Sequence, residues 1–176
     1  MLTEAYVDMK KDNAVGAIPK ITAALPYVKD KKRKARLTYI LGQLYTSVKK
    51  YDMAYEQFEM VEKLKPSYEM MFNARLSKYS NNLASGNISD EDLTSALKKM
   101  LKDLKNEEYK DQIYFLLADI GLKNNDINYA ITNLKAGIQV SKKGPAAKAD
   151  SYLKLADLYY QRDEFDKAYH YYDSTS

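Results

Sequence analysis

Apolar residues recur along almost the whole chain at spacings of three and four, the period of an amphipathic helix. Tyr39, Ile40, Leu44 and Tyr45 form one stripe, and Ala54, Phe58, Val61 and Leu64 form the next. Further helices are predicted at about 67–83, 89–105, 107–123, 126–141, 146–161 and 164–174, and convincing strand alternation is absent. Start and stop signals fall between the stripes. Ser89 precedes Asp90, Glu91 and Asp92, which places an N-cap hydroxyl and negative charge at the positive end of a helix. Gly144 followed by Pro145 reads as a helix-ending glycine and then a first-turn proline. The chain is therefore expected to be all-α, with connections short enough to make neighbouring helices antiparallel.

A repeat emerges from the small residues. Gly42 and Ala54 are 12 positions apart, as are Ala118 and Ala130, and Ala156 and Ala168. The offsets between pairs are 76 and 38, one half of the other. A glycine inside a helix costs ~1 kcal/mol relative to alanine, so Gly42 calls for a reason. Close approach of the second helix supplies one, since a larger side chain at the crossing costs ~1–3 kcal/mol in overpacking.

Leu41, Gly42, Tyr45, Ala54, Phe58 and Pro66 together resemble the tetratricopeptide (TPR) repeat pattern, with only its leading tryptophan replaced, by Thr38. Around Ala156 the resemblance runs through Tyr152, Leu155, Tyr159, Phe165 and Ala168, with Tyr172 at the Phe place. Around Ala118 it runs through Tyr114, Leu117, Ala130 and Leu134, with Gly121 where tyrosine belongs. A partial first repeat puts Ala5 and Ala14 in corresponding roles. In the middle, Phe72 and Tyr79 fit, but Leu76 takes the small-residue place and "NNLASGNISD" lengthens the turn. The reading is one TPR array over 1–176: a partial repeat at about 1–34, then 35–68, an irregular 69–110, 111–148 and a truncated 149–176. The resemblance implies a TPR-like right-handed superhelix of antiparallel helix pairs, an α-solenoid. It also implies a non-enzymatic protein–protein interaction scaffold without a cofactor. "ARLTYILGQLY" and "LKPSYEMMFNARL" further resemble TPR lipoproteins of the Bacteroidota cell envelope, of the type IX secretion and gliding-motility kind. That resemblance implies a periplasm-facing protein at the outer membrane, held there only through an upstream lipid anchor that is not present in this chain.

In TPR arrays the first helix of each pair lines a concave groove that holds a peptide or a partner helix. The residues that the resemblance carries to those places are Arg36, Tyr39, Gln43, Thr46 and Ser47, then Asn73, Ser77 and Asn81 in the irregular repeat. Gln112, Phe115, Asp119 and Lys123 follow, and then Asp150, Leu153, Asp157 and Tyr160. Tyr39, Phe115, Leu153 and Tyr160 are apolar at places that the buried stripe does not use. Lysine and asparagine, which the family's carboxylate clamp needs, are replaced by Tyr39 and Gln43, so chaperone-tail recognition is disfavoured.

Composition narrows the chemistry. The chain has no cysteine and one histidine, which removes thiolate metal sites and cysteine nucleophiles, and no metal site is expected. His170 has Asp166 one turn earlier but no nucleophile in its context, so it reads as a surface histidine. No apolar run is long enough to span a membrane. The net charge of +4 is too small to mark a nucleic-acid protein, but it is uneven: residues 1–66 hold 13 basic and 8 acidic side chains. The densest basic run, "KDKKRKAR" at 29–36, reads as a solvated loop entering a helix. The alternative function is direct binding of a non-protein polymer, either nucleic acid through the basic residues 31–36 or cell-wall glycan through the groove aromatics. Nucleic acid is disfavoured, because no aromatic interleaves the run to stack bases. The seventeen tyrosines are assigned mostly to packing, Tyr45, Tyr51, Tyr114, Tyr152 and Tyr159 among them.

The start "MLTEAYVDMKKDNA" lies inside an amphipathic pattern, which does not match a signal peptide. The last helix still carries Phe165, Tyr169 and Tyr172. Repeat arrays need polar terminal caps, so the sequence is expected to be cut from a longer TPR protein. In isolation it is expected to associate end to end through the Leu2–Tyr6 or the Tyr169–Tyr172 face.

Overall fold

A computed structural model describes residues 1–174; Thr175 and Ser176, the last of the truncated repeat, lie outside the described residues. Among them are ten α-helices: α1 (Leu2–Lys10), α2 (Ala14–Ala24), α3 (Lys31–Ser47), α4 (Tyr51–Leu64), α5 (Tyr68–Ser85), α6 (Asp90–Lys102), α7 (Lys110–Lys123), α8 (Ile127–Val140), α9 (Ala149–Tyr160) and α10 (Phe165–Asp173). Short 3-10 turns precede α3, α7 and α9. One of them, Leu104–Tyr109, begins where Asp103 accepts a hydrogen bond from the Lys105 N–H at 3.0 Å, which is why α7 starts later than the apolar pattern suggests.

Four hairpins share one turn. In α1–α2, α3–α4, α7–α8 and α9–α10 a left-handed residue closes the first helix: Asp12, Lys49, Asn125 and Asp163, with φ of 56°, 57°, 56° and 59°. Each stands seven positions after a buried small residue, namely Ala5, Gly42, Ala118 and Ala156. The next N–H then reaches back five residues: Asn13 to Asp8 at 2.9 Å, Lys50 to Tyr45 at 2.9 Å, Asp126 to Gly121 at 2.8 Å and Glu164 to Tyr159 at 3.0 Å. These long bonds satisfy carbonyls that the helix end would otherwise leave open. The chain is reversed within a few residues, and the two helices must lie side by side.

The turn also settles the small residue of the second helix. It lies three positions into the helix each time, at Ala54, Ala130 and Ala168, and in α2 this position is Ala17 rather than Ala14. Asn13 caps α2 by accepting from the Gly16 N–H at 3.0 Å, so Ala14 is the first helical residue and sits half-buried at the helix end. The irregular repeat lacks the shared turn. α5 ends at Gly86 in the left-handed region, φ 75°, and Ser89 caps α6 by accepting from the Asp92 N–H at 3.0 Å. Within α5 the fully buried small residue is Ala74, and Leu76 is only half-buried, because α5 turns Ala74 toward the core that Ala54, Phe58 and Val61 share.

The chain forms two compact units, Met1–Ile88 and the part from Ser89 onward. In the first, α2 packs on α3 and α5 packs on α4, around Ile21, Leu41, Tyr45, Phe58 and Val61. In the second, α6 packs on α7 and α8 on α9, around Ala118, Leu134, Leu155, Leu158 and Tyr159. Burying one such Leu or Phe side chain contributes about 1.5–3 kcal/mol.

Candidate partner-binding surface

In the first unit, Arg36, Gln43 and Ser47 lie exposed along α3. Gln43 and Ser47 border a depression of about 300 Å³ whose floor is Met9, Ala14, Ile40 and Leu44, so the surfaces of α1, α2 and α3 meet there. Tyr39 is less free than its sequence position suggests. It is half-buried, and its ring meets Phe58 edge-on, with centroids 5.4 Å apart. Thr46 is half-buried, with its hydroxyl 3.0 Å from the Gly42 carbonyl oxygen and 3.0 Å from Asn81 Oδ1. Asn81, 3% exposed, donates in turn to the Ser77 carbonyl oxygen at 2.8 Å. Thr46 and Asn81 thus tie α3 to α5, and Asn81 is turned inward. Asn73 and Ser77 are half-buried on the same helix.

In the second unit the structure joins Phe115 and Asp119 of α7 through a residue that sequence reasoning missed. Lys154 of α9 holds the Asp119 carboxylate and places its ammonium 4.1 Å from the centroid of the Phe115 ring. A cation over an aromatic face gains ~0.5–1 kcal/mol where exposed. Lys154 lies 35 positions beyond Asp119, a separation that no helical period reports. Lys123 pairs with Asp90 at 2.9 Å, and this hydrogen bond holds the Asp90 carboxyl below its ordinary pKa. Asp157 accepts from the Tyr172 hydroxyl at 2.6 Å, which raises the pKa of that phenol. Gln112 is half-buried and Asp150 exposed. Leu153 is 47% and Tyr160 59% exposed on α9, with the Tyr160 ring edge-on to Phe165 at 5.4 Å.

His170 is exposed beside the Tyr171 ring. Among the described residues, no group of three or more His, Cys, Asp or Glu side chains is placed to hold a metal ion. No helix of the described residues is long and apolar enough to cross a membrane.

Sequence comparisons find no match: no protein-family profile and no curated protein matches the chain. Solved structures do match in shape. MamA is similar over 97% of this chain and 91% of its own, at 19% identity and a TM-score of 0.60. BtubC from P. vanneervenii is similar over 97% of this chain and 75% of its own, at 17% identity and a TM-score of 0.66. A signal-transduction ATPase with numerous domains and a tetratricopeptide repeat sensor, from Pyrococcus horikoshii, is similar over 99% of this chain but 28% of its own, at 19% identity and a TM-score of 0.60. At such identities the likeness speaks for the fold: an all-α protein of paired helices, matching TPR-repeat structures.

Proposed function

We propose that the protein is a non-enzymatic scaffold that binds a peptide or a helix of a protein partner on its first-helix surfaces. The observation that carries this reading is the exposure of Leu153 and Tyr160. Both stand on the first helix of a pair whose buried core already contains Leu155, Ala156, Leu158 and Tyr159. An apolar pair flanked by Asp150, Asp157 and the Lys154–Asp119 pair suits a segment with spaced apolar anchors and polar groups between them. Place in a cell-envelope assembly, a secretion or gliding machinery, is supported by the resemblance of "ARLTYILGQLY" and "LKPSYEMMFNARL" to envelope TPR lipoproteins.

The test is capture of the partner from cell extract by the tagged protein, compared with the Leu153→Ala/Tyr160→Ala variant. Tyr39 is a poorer choice, because losing its contact with Phe58 also perturbs the core. Loss of capture with unchanged helix content is expected. A partner retained by the double variant would refute the surface assignment, and recovery of the native protein in the cytosolic fraction would refute the envelope assignment.

A further inference from the structure

The run from Lys29 to Arg36 gathers six basic side chains within eight residues. Lys20, Lys78, Lys123 and Lys154 each hold a carboxylate. Among the described residues, none of Lys29, Lys31, Lys32, Arg33, Lys34 and Arg36 does. The one acid inside the run, Asp30, spends a carboxylate oxygen on the Arg33 N–H at 2.7 Å. The first turn of α3 has no acidic residue, so its cations stand at the helix end where the backbone dipole disfavours them. Folding alone gives no reason for that arrangement.

The geometry limits what could neutralise it. Residues 31–34 step round the helix by about 100° each and so surround the axis, and helical side chains lean toward the N-terminus. A linear polyanion lying along one side of α3 would meet about half of them. A flat anionic surface facing this end of the helix would meet them together with Lys29. Tyr27 projects at the same end, 84% exposed. Beside it a groove of about 580 Å³ is lined by Leu2, Ala24, Tyr27, Val28 and Arg33. An amphipathic ring and an apolar groove next to unpaired cations match the headgroup region of a bilayer. Single-stranded nucleic acid would want successive rings to stack on, and here there is one.

We infer that the cations of residues 29–34, at this end of α3, dock the first unit onto an anionic phospholipid surface. Sedimentation with vesicles of phosphatidylcholine alone, or of phosphatidylcholine and phosphatidylglycerol in equal parts, tests it. Binding is expected only to the mixed vesicles. Each removed cation should weaken it about fivefold, so Lys32→Ala/Arg33→Ala should lose about twenty-five-fold. The same variant should melt at a higher temperature, because it removes two cations from the positive end of α3 and adds two good helix formers. Loss of binding together with gained stability separates docking from misfolding, and Leu153→Ala should bind vesicles as the parent does. Equal binding to both vesicle types, or undiminished binding by the double variant, would overturn the inference. So would capture of polyglutamate or a single-stranded oligonucleotide without any vesicle binding, which would reassign the patch to that polyanion.

Discussion

In the α3–α4 hairpin the glycine stands at the crossing and faces a side chain; in α7–α8 it stands three positions later in the repeat and faces backbone. A Cβ on Gly42 would come within 2.8 Å of the Phe58 ring. A Cβ on Gly121 would come within 2.9 Å of the Ala130 nitrogen and 3.0 Å of the Asp126 carbonyl oxygen. The first glycine makes room for a large aromatic, which Tyr39 then braces from its edge. The second lets the turn itself close tightly, and it occupies the place where Tyr45 and Tyr159 fill space in their hairpins. Accordingly a cleft of about 460 Å³ opens beside Gly121, bordered by Asp90, Thr94, Lys98, Asn124 and Tyr129. One hairpin turn therefore tolerates two different packings, and each depends on a glycine for a separate reason.

The largest expected effects test that difference directly. Gly42→Leu and Gly121→Ala should each lose ~1–3 kcal/mol of stability by chemical denaturation, the second even though alanine is the better helix former. Phe58→Ala should make Gly42→Leu much less costly, with a coupling of ~0.5–3 kcal/mol in a double-mutant cycle. Tyr129→Ala should give Gly121→Ala no such relief, since two of its three close contacts are backbone. Additive Gly42 and Phe58 effects would break the comparison at its root.

Next come the turns. Asp126 accepts from the Tyr129 N–H at 2.9 Å, whereas Lys50, at the same place in α3–α4, makes no side-chain cap bond. Asp126→Ala should cost ~1 kcal/mol, and Lys50→Ala should leave the melting temperature nearly unchanged. Equal effects would mean that the cap is not what distinguishes the two turns.

The smallest effect is electrostatic and confined to the second unit. The hydrogen bond from Lys123 lowers the pKa of Asp90 below the ordinary carboxylate value of 3.8. A depressed carboxylate contributes stability that is complete above its unfolded pKa and disappears as pH falls through the folded one. Below about pH 4 the protein should thus lose ~0.2–1 kcal/mol that Lys123→Met has already lost at neutral pH. Parallel stability–pH curves for parent and variant between pH 2 and pH 6, on the order of that window, would remove the pair from the account.

The helices and the repeat were legible in the sequence because they are written locally. A three-to-four spacing marks a buried face, and a 12-residue interval between small residues marks a crossing. Ala17 escaped notice because Ala14 is an equally small residue nearby, and only the cap at Asn13 decides where α2 begins. Lys154 escaped because its partners, Asp119 and Phe115, lie on a different helix pair. Tyr39 and Phe115 were placed on the correct helices, but the sequence could not say that one leans on Phe58 and the other carries a lysine. The small-residue positions repeat with the sequence, while the contacts of larger side chains, within a hairpin as between hairpins, depend on how they lean.

The shared left-handed turn has a consequence for how the chain reaches its fold. Because Asp12, Lys49, Asn125 and Asp163 each reverse the chain within a few residues, most native pairings in a hairpin join positions close in sequence. Such a topology has low contact order, and the entropy of closing each loop is small. Each of the four hairpins can therefore nucleate independently and recruit its neighbours within its own compact unit. Where the irregular repeat should turn, between α5 and α6, the stretch from Gly86 to Ser89 lacks that turn. A refolding experiment on the whole chain should accordingly register its kinetic seam there.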